Sequence, residues 1–514
     1  MRIGTARAMA VVGIEGRPVK IEAVLLSGLP AVTIVGLPDA AVSESRERVR
    51  AAFASAGISF PDMRLTINLS PADTPKSGTA FDLGIAVAIL AAMGGHGGAM
   101  DESVVMGELG LDGSVRGVRG ILPAALATAR IIERAGEAAS RMVVPFGCAR
   151  EARLGQVPVT EVWHLTQIAD MMGVPCAPIP DMPETAEEAT EAAAAPPDLA
   201  EVRGQLESRH ALEVAAAGGH HLLMTGAPGV GKSMLATRLP GIMPRLDARQ
   251  AVEVAAIASA AGQFTGQLSR VPPFAAPHHT ASAAALVGGG TLPKPGAASR
   301  AHRGILFLDE MPEFSTASLQ ALREPMETGC IDIHRAKAAV RFPARFQLVG
   351  AANPCRCGNY LDAPAMCTCT VRERRDYFRK IGGPMLDRFD LNVVTRRHSR
   401  AELATAGQGE PSAKVAERVA LARQRQAARL GATQWSTNAQ VSGTWLRRNT
   451  RLDESASRDI EDMLTRGEIS MRAVDKLLRV AWTLADLAGR DAPGRDDVDA
   501  AMALRIRGGF HGAF

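Results

Sequence analysis

The sequence feature that most constrains the fold is the stretch GAPGVGKS at residues 226–233. The apolar run HHLLMTG before it is typical of a buried strand, and KSMLATRLPGIM after it is typical of a helix. A glycine-rich turn at such a junction lets backbone N–H groups surround phosphates, while a lysine neutralises their charge. The pattern predicts a phosphate loop for ATP, formed by Gly226, Ala227, Pro228, Gly229, Val230, Gly231, Lys232, Ser233 and Met234.

Two further strand-like runs end in side chains suited to nucleotide hydrolysis. ILFLDE ends in Asp309 and Glu310, and GAAN ends in Asn353. Ser233 and Asp309 are predicted to bind Mg²⁺, and Glu310 to activate the attacking water. Asn353 is predicted to orient the water or contact the γ-phosphate. Taken alone, ILFLDE could be a strand that happens to end in two acids, and GAAN could end in an asparagine that only forms a turn. Together with Lys232, the two runs predict an ATPase.

Composition limits the alternatives. A chain of 514 residues has room for about two to four domains. A net charge of +4 is too small to argue for nucleic-acid binding, and 2 Tyr and 4 Trp disfavour a mode built on many stacked bases. The longest apolar run, residues 83–93, is too short to span a bilayer, and the amino-terminal run is too short for a signal. We therefore expect a cytoplasmic protein without a membrane partner.

The pattern along the chain divides it into four parts. Residues 1–180 mix short strands with helices, which predicts an α/β domain. Residues 181–200 are acidic and rich in Ala and Pro, as in a linker. Strands alternate with helices over residues 201–400, which predicts a parallel sheet covered on both faces. Residues 401–514 have a helical pattern throughout.

From residue 201 onward, the chain resembles an AAA+ ATPase of the magnesium-chelatase subunit I branch. By that resemblance Asn353 is sensor 1, Arg388 in GPMLDRFD is the arginine finger, and Arg472 in SMRAVDKLLRVA is sensor 2 in a helical lid. EVRGQ at 201–205 resembles the segment that packs on the adenine. The resemblance implies a homo-hexameric ring with ATP between subunits. Considered alone, both arginines could equally be ordinary surface residues.

The segment APHHTASAAALVGGGTLPKPGAASRAHRGILFLDE at 276–310, together with NPCRCGNY, narrows the resemblance to the ComM/YifB family. It extends over essentially the whole chain. Residues 1–180 are similar to the Lon protease domain, which implies an S5-like fold. Ala80 and Leu122 stand where that family has its catalytic serine and lysine, so no protease activity is expected. His278 and His279 are interpreted as packing or loop-bonding residues.

Four of the 7 cysteines lie in two close pairs, Cys355 with Cys357 and Cys367 with Cys369. Four thiolates suit tetrahedral Zn²⁺, although the C-x-C spacing is tighter than the usual C-x2-C. Reduced free thiols and a redox pair remain alternatives. The basic run VRERRDYFRK that follows either faces DNA or forms a charged helix surface.

The stretch CIDIHRAKAAVRF at 330–342 predicts a β-hairpin with Arg335 and Lys337 at its tip. In the AAA+ helicases that this chain resembles, a hairpin before sensor 1 points into the pore of the ring. Arg335 and Lys337, with Lys294 in a second insert, are therefore candidate contacts to DNA phosphates. Such contacts would be salt-sensitive and independent of sequence. An ordinary exposed basic turn is the alternative for each.

Together these features imply an ATP-driven DNA motor acting on branched or single-stranded DNA, in particular a branch-migration helicase for recombination of incoming DNA in natural transformation. Two alternatives remain. One is a chelatase-type motor that remodels a protein partner. The other is a regulatory ATPase without a DNA substrate.

Overall fold

The computed structural model describes the chain except residues 96–99, 101, 136–140, 184–194, 291–292, 336–337, 363, 400, 403–406, 453 and 507–514. Within the described residues, the predicted α/β architecture is confirmed: two sheets with flanking helices are followed by a helical domain. No described helix is both long and apolar enough to cross a membrane.

The N-terminal domain is built on a seven-stranded mixed sheet. Its strands are β1 (Arg2–Val12), β2 (Glu15–Leu26), β3 (Ala31–Val35), β4 (Arg64–Ser70), β5 (Val104–Val105), β8 (Met142–Pro145) and β9 (Val159–Val162), in the order β3-β4-β2-β1-β5-β8-β9, with β6 (Glu108–Leu109) and β7 (Val115–Arg116) forming a separate pair. Its helices are α1 (Ala40–Ser55), α2 (Asp82–Ala92), α3 (Ile121–Ala135), α4 (Ala149–Arg153) and α5 (Leu165–Met171).

Helix α2 has apolar residues on nearly every face. The structure accordingly buries nearly every face of it. It packs closely on β1, where a Cβ on Gly4 would lie 2.2 Å from the carbonyl oxygen of Ala88. The one charged residue of α2, Asp82, is fully buried and receives hydrogen bonds from Ser45 and Arg48 of α1. These contacts fix both helices on the sheet.

The central domain contains a five-stranded parallel sheet in the order β11-β14-β17-β10-β18. The strands are β10 (Leu222–Thr225), β11 (Phe274–Ala275), β14 (Ile305–Leu308), β17 (Gln347–Ala352) and β18 (Leu391–Val394). The helices are α6 (Leu206–Gly218), α7 (Lys232–Ala236), α8 (Leu239–Ile242), α9 (Ala248–Ala261), α10 (Ala283–Val287), α11 (Ala297–Arg300), α12 (Thr316–Ala321), α13 (Arg323–Thr328), α14 (Val371–Arg379) and α15 (Gly383–Leu386). Every residue of β10, β14 and β17 is buried, as expected for a sheet covered on both faces.

Two antiparallel hairpins extend from this domain. One pairs β12 (Gly288–Gly289) with β13 (Lys294–Pro295), and the other pairs β15 (Cys330–Arg335) with β16 (Ala338–Pro343). The second confirms the hairpin predicted for residues 330–342. It connects β14 to β17 through α12 and α13, so its base belongs to the core of the domain.

The C-terminal domain comprises α16 (Ser412–Leu430), α17 (Gly443–Asn449), α18 (Glu454–Thr465), α19 (Met471–Leu487) and α20 (Arg495–Ile506). It shares one hydrophobic cluster with α6 and β10. A buried polar chain crosses the same junction. His220 contacts Thr483 at 2.8 Å, Asn438 donates to Thr483 and Asp486, and Arg429 donates to Asp486. Each of these side chains has at least one hydrogen-bond partner, so the chain fixes the helical domain. Among their buried polar atoms, Nε of Arg429 is the one without a partner.

The end of the predicted linker packs on the central and C-terminal domains. Leu199 is buried in their shared cluster, and its backbone N–H donates to the hydroxyl of Ser412 at 2.7 Å. Asp198 accepts from the backbone of Ser412 at 2.9 Å. Residues 198 and 199, which the composition assigns to the linker, therefore pack with these two domains.

The N-terminal domain contacts the central domain at two places. Helix α3 lies on α9, where Leu122 is buried with Ala255 and Ala256 and its backbone N–H donates to the hydroxyl of Ser259 at 3.3 Å. The β1–β2 turn packs on β16, since a Cβ on Gly13 would lie 2.9 Å from the Val340 side chain. The N-terminal domain thus rests on the base of the β15–β16 hairpin.

We expect Leu122→Ala to destabilise this contact by about 2–5 kcal/mol, because it removes a buried leucine from a packed site. The measurement is the first thermal unfolding transition of the full chain. Leu111→Ala, at a residue 63% exposed, is the matched control and should change little. Equal transitions for the two variants would show that α3 and α9 do not form a packed interface.

Candidate active site

The phosphate loop follows β10 directly, as its sequence predicts. Gly229 and Gly231 have φ values of 76° and 97°, a left-handed backbone that side chains with a Cβ rarely adopt. A Cβ on Gly226 would lie 2.2 Å from the carbonyl oxygen of Thr395 at the end of β18. The glycines are therefore required both by the turn and by the close approach of the neighbouring strand.

Lys232 lies at the first residue of α7 with a buried side chain. Its Nζ donates to the carbonyl oxygens of Gly226 and Ala227 at 2.7 and 3.0 Å, and to Oδ1 of Asn353 at 3.1 Å. Burial lowers the pKa of Lys232, and the charges of Asp309, Glu310 and Asp362 act in the opposite direction. The ammonium is thus held by two carbonyl oxygens of the loop and by the amide oxygen of Asn353.

Ser233 and Asp309 form the second contact between the loop and the sheet. The Ser233 hydroxyl donates to Oδ2 of Asp309 at 2.6 Å. A hydroxyl and a carboxylate oxygen at this separation are hard donors of the kind that Mg²⁺ prefers. The two residues therefore fit the metal that accompanies ATP.

Glu310 follows Asp309 with a φ of 49°, which is unusual for a residue other than glycine. Its Oε2 lies 3.4 Å from Nδ1 of His279, in the loop after β11. The ring of the neighbouring His278 is tilted by 34° against that of His279, with centroids 4.1 Å apart, and its Nδ1 lies 2.9 Å from the hydroxyl of Thr280. Sequence reasoning missed the contact of His279 with Glu310, because nothing in the local pattern indicates that these loops meet.

Gln205 provides a further contact to the phosphate loop. Its side-chain amide donates to the carbonyl oxygens of Val230 at 3.3 Å and Arg396 at 2.7 Å. The EVRGQ segment expected near the adenine thus contacts the loop from the side of β18.

Arg388 and Arg472 lie near each other and have no described contact with the phosphate loop of their own chain. Arg388 is largely buried and donates to Glu327 of α13. Arg472, at the start of α19, is exposed and pairs with Asp387 at 3.2 Å. The segment carrying Arg388 is anchored to β10, because the carbonyl oxygen of His221 accepts from the backbone N–H of Asp390 at 3.0 Å.

The structure brings the four predicted cysteines together. The Sγ atoms of Cys355, Cys357, Cys367 and Cys369 all lie within 4.8 Å of one another. The distances from Cys355 to Cys357 and Cys367 are 3.3 and 3.8 Å, and Cys357 lies 3.6 Å from Cys367. Zn–S bonds of about 2.3 Å in a tetrahedron place sulfurs about 3.8 Å apart. The cluster therefore has the size of a four-thiolate zinc site.

Two of the three predicted DNA-contacting residues, Lys294 and Arg335, lie on the two hairpins. Lys294 is exposed on β13. The backbone of Arg335 pairs with Ala338 at the end of the β15–β16 hairpin, while Lys337 lies outside the described residues. The basic run after the cysteines forms α14, whose buried face includes Tyr377 and Phe378.

Three family models match the chain. Residues 21–146 match the subunit ChlI of Mg-chelatase, residues 198–403 match magnesium chelatase subunit ChlI, and residues 409–505 match its C-terminal part. These matches cover the N-terminal, central and C-terminal domains in turn.

Relatives that match over nearly their full lengths define the family more narrowly than the three domain matches do. The chain is 40% identical to the uncharacterized protein YifB of Salmonella typhimurium, over 98% of this chain and 97% of that protein. It is 37% identical to the competence protein ComM of Haemophilus influenzae, over 98% of both chains. A partial match, 32% identical over 34% of this chain and 18% of the relative, is to the DNA helicase MCM8 of Gallus gallus.

We expect Glu310→Gln to reduce ATP hydrolysis by about 10²–10⁴-fold while nucleotide binding persists, because the amide cannot accept a proton from water. Lys232→Ala should lose binding as well, since it removes the buried ammonium. Phosphate release and titration with a fluorescent ATP analogue separate these effects. Glu313→Gln, on the same turn, is the matched control. If it reduced ATP hydrolysis as much as Glu310→Gln does, the assignment of Glu310 as the base would be wrong.

Proposed function

The chain belongs to the ComM/YifB family of magnesium-chelatase-like AAA+ proteins, and from this premise we propose that it is an ATP-driven motor that moves DNA. The observation that carries the proposal is the position of the β15–β16 hairpin, which is inserted between β14 and β17, the strands that Glu310 and Asn353 follow. Changes at the nucleotide would reach the hairpin through both strands. The task proposed is branch migration of recombining DNA, in which the motor extends a heteroduplex.

A homo-hexameric ring is part of this proposal. Arg388 and Arg472 lie on one region of the chain, joined through Asp387. In a ring, Arg388 would exchange Glu327 for the γ-phosphate held by the neighbouring subunit and stabilise charge in the transition state. Lys232, Glu310 and Asn353 would complete that site from the neighbour's side.

Zinc is the metal we propose for the cysteine cluster. The four Sγ atoms lie within 4.8 Å of one another, close enough for one metal ion to contact all of them, and softer donors such as these select zinc over Mg²⁺. In the cytoplasm, where we place the protein, reduced thiols are available as ligands.

A chelatase-type motor that remodels a protein partner is the second candidate. It is favoured by the three matches to subunit ChlI of magnesium chelatase. The relatives YifB and ComM match over nearly their full lengths, and the description of ComM as a competence protein supports the DNA motor. The partial relative, which is a DNA helicase, supports the same proposal. The third candidate is a regulatory ATPase without a DNA substrate, whose ATP hydrolysis rate would not change when DNA is added.

The ATP hydrolysis rate tests the proposal, measured without DNA and with single strands, duplex and a four-way junction. Lys232→Ala supplies the background rate. We expect several-fold stimulation, greatest with the junction. An ATP hydrolysis rate that is the same with and without each DNA would contradict a DNA motor and favour a protein substrate.

We expect the double variant Arg335→Ala/Lys337→Ala to weaken DNA binding. Two fewer phosphate contacts should lower the slope of log affinity against log salt by about 1–2. Arg458→Ala/Arg466→Ala, two exposed arginines of the helical domain, removes the same charge and is the control. If both double variants lose the same affinity for DNA, the net charge of the protein governs DNA binding, and the hairpin has no special part in it.

A further inference from the structure

The cysteine-bearing insertion, residues 355–369, packs directly on the phosphate loop. A Cβ built on Gly358, the residue after Cys357, would lie 2.4 Å from Cδ and 2.8 Å from Cγ of Pro228. Gly358 is buried and has a φ of 82°. The contact is therefore so close that only glycine fits, and it joins the cysteine cluster to the centre of the nucleotide-binding loop.

The insertion also contributes charge to the site. Asp362 lies close enough to Lys232 for its carboxylate to favour the charged form of the lysine, against the stronger effect of burial. One side of the insertion thus contacts Pro228, while another presents a negative charge to the phosphate-binding lysine.

Both ends of the insertion return to Asn353. Cys355 follows Asn353 by two residues, and after Cys369 the chain enters α14, which is capped by Thr370. Tyr377 of α14 interacts with the backbone amide of Asn353 through its hydroxyl. Arg374 of the same helix stacks on Tyr360 of the insertion, with its guanidinium carbon 3.9 Å from the ring centroid.

Hydrophobic burial does little to fix the insertion. Among its described residues only Cys355 and Gly358 are buried. Segments with so little apolar burial are usually held by metal or disulfide cross-links, and these cysteines form no disulfide. A metal on the four sulfurs would supply the missing cross-link.

We propose that a zinc ion on Cys355, Cys357, Cys367 and Cys369 holds the insertion against Pro228, so that occupancy of this metal site sets the affinity of the phosphate loop for nucleotide. The proposal rests on the zinc assignment above and adds a regulatory link between two sites. Metal loss frees the insertion, and Pro228 then loses the surface against which it packs.

The direct test titrates a fluorescent ATP analogue into the zinc-loaded full chain, into the chelator-treated chain, and into that chain after zinc is restored. Metal content is measured in parallel. We expect about one zinc per chain, and a rise in Kd on stripping of about five- to fiftyfold, the usual range of coupling between sites. Restored zinc should restore the original Kd.

The failures are distinguishable. A chain that contains no zinc when purified with reductant and without chelator overturns the zinc assignment and the inference together. A chain that binds zinc but has the same nucleotide Kd when stripped overturns only the coupling.

A second pair of variants tests the contact without touching a metal ligand. Gly358→Ala should weaken nucleotide binding at full zinc content, because its Cβ displaces Pro228, and adding Pro228→Ala should recover part of the loss. Gly467→Ala is the matched control, since Gly467 has a φ of 70° and nothing within 4 Å of its Cβ position. Equal affinities for Gly358→Ala and Gly467→Ala would overturn the proposed contact.

Discussion

The nucleotide site depends on the parallel register of β14, β17 and β10. In that register Leu308 lies opposite Gly350, and Thr225 lies opposite Ala352. The residues that follow these strands are therefore delivered to one edge of the sheet. Without this register, the hydrogen bonds of Ser233 to Asp309 and of Lys232 to Asn353 could not form. The remaining contacts of the site are arranged around these two.

The sequence contains enough local information to predict these strands and their terminal residues. Each consists of a short apolar run followed by glycine, acid or amide. The single helix expected after the loop is divided into α7 (Lys232–Ala236) and α8 (Leu239–Ile242). The contact of His279 with Glu310 and the contact of Gly358 with Pro228 could not be predicted in this way. They join loops far apart in sequence, and their geometry exists only after the sheet has formed. Arg388 and Arg472 retain their roles as predictions, because those roles belong to an interface between subunits.

The N-terminal domain illustrates a different limit of sequence reasoning. The resemblance to a protease family singles out Ala80 and Leu122 because they stand where that family has its catalytic serine and lysine. It does not indicate which residues Ala80 and Leu122 contact. In the fold, Leu122 is fully buried where α3 meets α9. A lysine at that place would require a buried charge partner, whereas leucine packs against Ala255 and Ala256 without one. The position thus serves as a docking residue of the domain.

Strand β10 joins two functional regions over only four residues, Leu222–Thr225. Its carboxyl end continues into the phosphate loop, and just before its amino end His221 holds the segment that carries Arg388. At about 3.3 Å per residue, the strand is about 13 Å long. A link so short, hydrogen-bonded on both edges and buried on both faces, has little elastic compliance. In mechanical terms it behaves as a stiff rod, so a displacement of the phosphate loop along the strand reaches the Arg388 segment with little attenuation.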